Sequence, residues 1–161
     1  MLLFPSWTRI SHPREIKGPW DAKLRTVYCV HLRAPSIPRF LGNDKGSILY
    51  IGYAISTKRR LFEFLSSSRN GTSTGRVGQT LYYYRHRSPG IAALIGDDVE
   101  NHIRFSYMEI KDGDLLSAFT SYLYEYIKVF GELPPLNCEI TGMRKRIREI
   151  RRELGMIRKR R

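Results

Sequence analysis

Hydrolysis of a phosphodiester needs three kinds of group. These are a carboxylate to hold a divalent cation, a group that can take a proton from attacking water, and a fixed cation beside the nonbridging oxygens. This chain carries candidates for all three in a distinct order. Tyr28 closes the tripeptide Thr26–Val27–Tyr28, and Tyr50, Ile51 and Gly52 follow later. Arg60 lies eight residues beyond Gly52 in YIGYAISTKRRL, and Glu125 precedes Asn137 by twelve in EYIKVFGELPPLN. Each residue also has a plainer meaning. Tyr28 and Tyr50 are two of ten tyrosines and taken alone read as core aromatics, while Arg60 reads as a solvated helix arginine beside Lys58 and Arg59. Glu125 reads as a surface glutamate, and Gly131, Pro134, Pro135 and Asn137 as a helix stop. Their joint order and spacing are what point to chemistry.

Such groups act only if rigid elements hold them. Residues 26–32 (TVYCVHL) are β-branched and aromatic and predict a strand, followed by a long loop over the Pro- and Gly-punctuated stretch 35–46. Residues 47–53 (SILYIGY) predict a second strand. The period then changes, and 57–65 (TKRRLFEFL) predicts a short helix with Ser56 or Thr57 as N-cap. Residues 66–78 read as a Ser/Gly/Thr/Asn loop carrying Arg69 and Arg76. The aromatic run 79–85 (QTLYYYR) fits a strand or a helix start, with strand preferred, and 102–110 (HIRFSYMEI) alternates as a strand. Asp112–Gly113–Asp114 offers a turn and an N-cap for a helix running to Phe130. Its stripe is Leu115, Leu116, Phe119, Tyr122, Leu123, Ile127 and Phe130, and Glu125 lies off that stripe.

The bulk properties agree with a polyanionic partner. A chain of 161 residues with 42% hydrophobic content fits one compact domain, and its net charge of +13 sets up a positive surface potential. No apolar run approaches the roughly 20 residues of a bilayer span, so no membrane partner is expected and the protein reads as cytoplasmic, nucleoid-associated in a bacterium or archaeon. Cys29 and Cys138 form no CxxC, and His12, His31, His86 and His102 have no finger spacing, so a reducing compartment fits and a zinc site does not. Residues 143–161 hold ten Lys/Arg, among them Arg144, Lys145, Arg148, Arg151 and Arg152, against Glu149 and Glu153. Ile140, Met143, Ile147, Ile150, Leu154 and Ile157 form a seam there at alternating spacings of 3 and 4. This basic amphipathic helix suits a docked terminal helix, a phosphate-tracking arm or a homodimer contact. Residues 1–22 read as a poorly specified N-terminal extension that lies against the domain through Trp7 and Trp20.

The ordered set from Thr26 to Asn137 resembles the GIY-YIG nuclease superfamily. The name motif is degenerate in its first half, Thr26–Val27–Tyr28, and complete in its second, Tyr50–Ile51–Gly52. The resemblance implies an α/β (α+β) domain over 23–138: a small central three-stranded antiparallel sheet flanked by helices, with the basic C-terminal helix over 139–161. It implies Tyr28 as general base, directly or through water, with its phenol made removable by nearby positive charge or a relay. Tyr50 would shape the pocket, Arg60 would stabilise the pentacovalent phosphate, and Glu125 would be the sole carboxylate ligand of Mg²⁺ or Mn²⁺. Gly52 would allow close backbone approach, and Asn137 would bond backbone behind the site. Two departures concern the proton path. Tyr53 follows the YIG where relatives often have Lys or another polar residue, and Phe64 stands four residues after Arg60 where relatives often carry His or Tyr.

Three functions follow as expectations: a metal-dependent endonuclease, a catalytically silent nucleic-acid-binding module on the same fold, and a basic assembly protein using the C-terminal seam. The kept Arg60 and Glu125 favour the first, and Phe64 favours the second. DNA is the expected partner ahead of RNA, with Arg59, Arg69, Arg76 and the basic tail as its contacts.

Overall fold

The computed structural model describes residues 4, 6–34, 36–39, 41–72, 75–137, 148–149, 152–153 and 155. The protein is a mixed α/β unit built on an antiparallel sheet. The elements in chain order are β1 (Thr8–Ile10), β2 (Thr26–Leu32), β3 (Ile37–Arg39), β4 (Gly42–Asp44), β5 (Ile48–Ala54), α1 (Thr57–Asn70), α2 (Arg76–Arg87), α3 (Pro89–Ile95), α4 (Val99–His102), β6 (Ile103–Glu109) and α5 (Leu115–Phe130). Two 3-10 turns, Pro13–Glu15 and Pro135–Asn137, complete them.

The main sheet has four strands in the order β1-β6-β2-β5, not the three expected. The extra strand comes from the N-terminal extension: Thr8, Arg9 and Ile10 pair with Tyr107, Ser106 and Phe105. The sequence hid it because three residues cannot display a period. Trp7 is buried and packs edge-on against Tyr122 at 4.8 Å, whereas Trp20 is 49% exposed and leans on Phe62.

Alternation along β2 sorts the core into two halves. Tyr28, Val30 and Leu32 join Tyr50, Leu61, Phe64, Leu65 and Leu81 on the side of α1 and α2. Val27 and Cys29 join Ile48, Ile51, Phe119, Leu123, Tyr126, Ile127 and Phe130 on the side of α5. Each fully buried aliphatic side chain contributes about 1.5–3 kcal/mol. The sheet is therefore covered on both faces, and α1 and α5 lie on opposite ones.

Three other expectations are revised. The stretch 79–85 is helical, within α2, because Leu81 and Arg85 repeat at helical spacing and turn inward onto α1. The loop expected over 66–78 is mostly helix: α1 continues to Asn70 and stops at Gly71, whose φ of 68° places it in the left-handed region. The long loop over 35–46 contains the β3–β4 hairpin. That hairpin is fixed by buried Asp44, which accepts from the Ile48 amide at 2.8 Å and from the Tyr126 hydroxyl at 3.0 Å. Asp114 caps α5 through the Leu116 and Ser117 amides, and Gly131 ends it at φ 75°. Among the described residues no helix is long and apolar enough to cross a membrane.

The expected C-terminal helix, with its dimer seam, lies largely outside the described residues, as do Arg144, Lys145 and Arg151. Arg148 and Arg152 are helical and exposed.

Candidate functional site

The site begins with register. In the β2–β5 pairing Gly52 stands directly across from Tyr28, and Tyr50 across from Val30. All three project on the α1 side, so the two phenol rings converge over the glycine, with centroids 6.0 Å apart. A methyl group on Gly52 would sit 2.5 Å from a Tyr50 ring carbon and 2.8 Å from the Tyr28 hydroxyl oxygen. Only hydrogen leaves room for both rings, which is a steric requirement and not a matter of backbone freedom.

Behind the tripeptide, Asn137 is fully buried and takes both outward-facing backbone groups of Ile51. The Ile51 N–H donates to Asn137 Oδ1 at 2.8 Å, and Asn137 Nδ2 donates to the Ile51 carbonyl at 2.7 Å. β5 is the edge of the sheet, so this one side chain substitutes for a further strand at the centre of Tyr50–Ile51–Gly52.

α1 brings Arg60 to the same place. Its start is anchored where Thr57 Oγ1 donates to the Leu24 carbonyl at 2.6 Å, beside a 2.7 Å contact with Thr26 Oγ1. One turn on, Arg60 meets the Tyr28 phenol on one side and Glu63 on the other, the latter at 3.3 Å. Burial works against the Arg60 charge, but Tyr28, Glu63 and Tyr50 together hold its pKa above the ordinary value. Tyr28, Arg60, Phe64, Gly75, Arg76, Val77 and Gly78 enclose a recess of about 10 Å³, room for one water-sized group. A phosphate would therefore sit at its mouth. Phe64 is buried and stands edge-on to Phe105 at 6.1 Å, so the position four residues after Arg60 supplies no proton relay.

Two expected features are not found at the recess. Burial raises the Tyr28 phenol well above its ordinary pKa, and the neighbouring Tyr50 adds to the rise. Arg60 opposes the shift without overcoming it, so this tyrosine is held protonated, the reverse of what a base requires. Glu125 is not gathered either. It is exposed on the outer face of α5 with Ser117, Ser121 and Tyr124, and α5 covers the face of the sheet opposite Tyr28. The cause is helical period: Leu123 and Ile127 turn into the core, and a residue midway between them turns out. The α5 residues facing the sheet include Phe119, Leu123, Tyr126, Ile127 and Phe130, none of them a carboxylate.

The carboxylate beside Tyr28 and Arg60 is Glu63, which sequence reasoning passed over. It pairs with Arg59 at 3.4 Å as well as with Arg60, and the i, i+3 and i, i+4 spacing within TKRRLFEFL was the available signal. A carboxylate committed to two guanidiniums is a poor cation ligand. Among the described residues no group of three or more His, Cys, Asp or Glu converges on one point. The residues at this recess do not fit a resident Mg²⁺ or Mn²⁺. Of the expected phosphate contacts, Arg69 pairs with Glu100 on α4 and Arg59 with Glu63, while Arg76 lines the recess with no ion partner among the described residues.

Elsewhere, a cavity of about 290 Å³ opens at the other end of the strands, lined by Arg9, Lys45, Arg104 and His31. It is larger than the recess but shares no residue with it. The His31 ring is tied on both sides, to the Gly46 carbonyl and to Ser106 Oγ, each at 2.7 Å. No protein-family model, curated protein or solved structure matches this chain.

Proposed function

We propose that this protein binds the phosphate backbone of nucleic acid, DNA first, at the mouth of the Tyr28–Arg60–Arg76 recess. The observation that carries the proposal is the placement of two arginines and a protonated phenol, all hydrogen-bond donors, around one water-sized opening. The net charge of +13 supplies the long-range attraction. On this reading the domain is a GIY-YIG-like module whose recess holds a phosphodiester without hydrolysing it.

A second reading, metal-dependent endonuclease, is favoured by one observation: Tyr28, Tyr50 and Arg60, far apart in sequence, meet over Gly52. Against it stand the outward position of Glu125 and the raised phenol.

One experiment separates them. Supercoiled plasmid is incubated with the protein and Mg²⁺ or Mn²⁺, beside Arg60→Gln and Glu125→Gln, with binding followed by mobility shift. Binding that weakens steeply with salt and with Arg60→Gln, without nicking, is the expected result. Nicking that needs both the metal and Glu125 would overturn the first reading and establish the second.

A further inference from the structure

Helix α2 leads away from the recess, and its surface is unlike that of an ordinary solvated helix. Its twelve residues, RVGQTLYYYRHR, include three arginines and three tyrosines and no acidic side chain. Arg76, Thr80, Tyr83 and Arg87 recur at spacings of 4, 3 and 4, which puts them on one face in a row that begins at the recess itself. Tyr83 and Tyr84 are 45% and 41% exposed, although a soluble helix has no structural need to present two large aromatics side by side. Arg87 stands over the Tyr83 ring with its guanidinium carbon 5.5 Å from the centroid. The third tyrosine is accounted for: Tyr82 packs over Gly71, where a methyl group would come within 2.8 Å of its ring.

We propose that this face of α2 is a track for single-stranded nucleic acid, on which unpaired bases stack against Tyr83 and Tyr84 while Arg76 and Arg87 hold the flanking phosphates. The proposal rests on the phosphate site at Arg60 and names the form of nucleic acid that site receives. From Arg76 to Arg87 the helix extends about 16 Å. Aromatic faces serve unpaired bases and offer little to a duplex, whose bases are already stacked on one another. Tyrosine and arginine also mark protein interfaces, but a helix with no carboxylate, on a chain of net charge +13, matches a polyanion better.

The test is fluorescence anisotropy of a short labelled single strand and of its duplex, using the whole protein. Tyr83→Ala, Tyr84→Ala and the conservative Tyr83→Trp are compared with Arg60→Gln, after circular dichroism has shown each variant folded. The single strand is expected to bind more tightly than the duplex. Tyr83→Ala should weaken single-strand binding about tenfold with little effect on duplex, and Tyr83→Trp should restore it. If both alanine variants bind the single strand as the parent does while Arg60→Gln weakens it, the track is refuted and the phosphate site stands. If neither nucleic acid binds, both are refuted.

Discussion

Replacing Asn137 with alanine strips the outer edge of β5 of two partners in one step. The Ile51 N–H and C=O lose the bonds of 2.8 and 2.7 Å that the Asn137 carboxamide supplies, at a place where both residues are fully buried. An unsatisfied buried polar group costs about 1–3 kcal/mol, so two cost about 2–6 kcal/mol, with the lower end applying if water fills the vacated space. Against a total stability of about 5–15 kcal/mol that is a large fraction. For a chain of this size each kcal/mol lowers Tm by about 2–4 °C, so a fall of at least about 4–8 °C is expected. Urea denaturation measures the same loss as a lower midpoint at unchanged slope. Asn137→Asp carries a further signature. A carboxylate accepts from the Ile51 amide but cannot donate to its carbonyl, whereas the protonated acid can do both. The folded pKa of that aspartate is then raised above its unfolded value, so stability is highest below about pH 4 and is lost as pH rises through the folded pKa. The asparagine parent lacks this component. An alanine variant whose midpoint matches the parent would refute the view that this side chain closes the edge of the sheet.

Further outcomes follow from other close contacts. Gly78→Ala should destabilise by about 2 kcal/mol or more in urea titration, because its methyl would lie 2.3 Å from the Phe64 carbonyl oxygen and force α2 away from α1. Gly52→Ala should both weaken nucleic-acid binding and lower the urea midpoint, since the atoms it displaces are the buried Tyr28 and Tyr50 rings; unchanged binding would refute their part in the recess. Glu63→Gln frees both Arg59 and Arg60, so affinity at low salt should rise about 2- to 5-fold and the salt dependence steepen; unchanged binding would mean these arginines do not reach phosphate. Burial lowers the pKa of His31, so its contribution to stability is fully present above the unfolded value of about 6.5 and is lost as pH falls from there through the lower folded pKa. His31→Gln should remove that part of the acid sensitivity seen by denaturation at pH 8 and pH 5.

Local pattern alone exposed much of this protein. The strands around Tyr28, Tyr50 and Tyr107 and the helix ending at Phe130 could be read directly, because each is long enough to show its period and each is bounded by a turn residue. The charge and its implied polyanionic partner were equally plain. Other features depended on what each segment met in space. β1 is a strand only because β6 offers it an edge, and 79–85 is a helix because α1 offers a surface to Leu81 and Arg85. Spacing put Tyr28, Tyr50, Gly52 and Arg60 in order, but strand register brought Gly52 opposite Tyr28 and left the room both rings occupy. Spacing likewise singled out Glu125, and the rotation of α5 against the sheet turned it outward, leaving Glu63 as the carboxylate beside Arg60. Period and composition act within a segment, so sequence determines them; which face meets which neighbour is fixed only by packing the whole chain, and the chemistry of the recess depends on that.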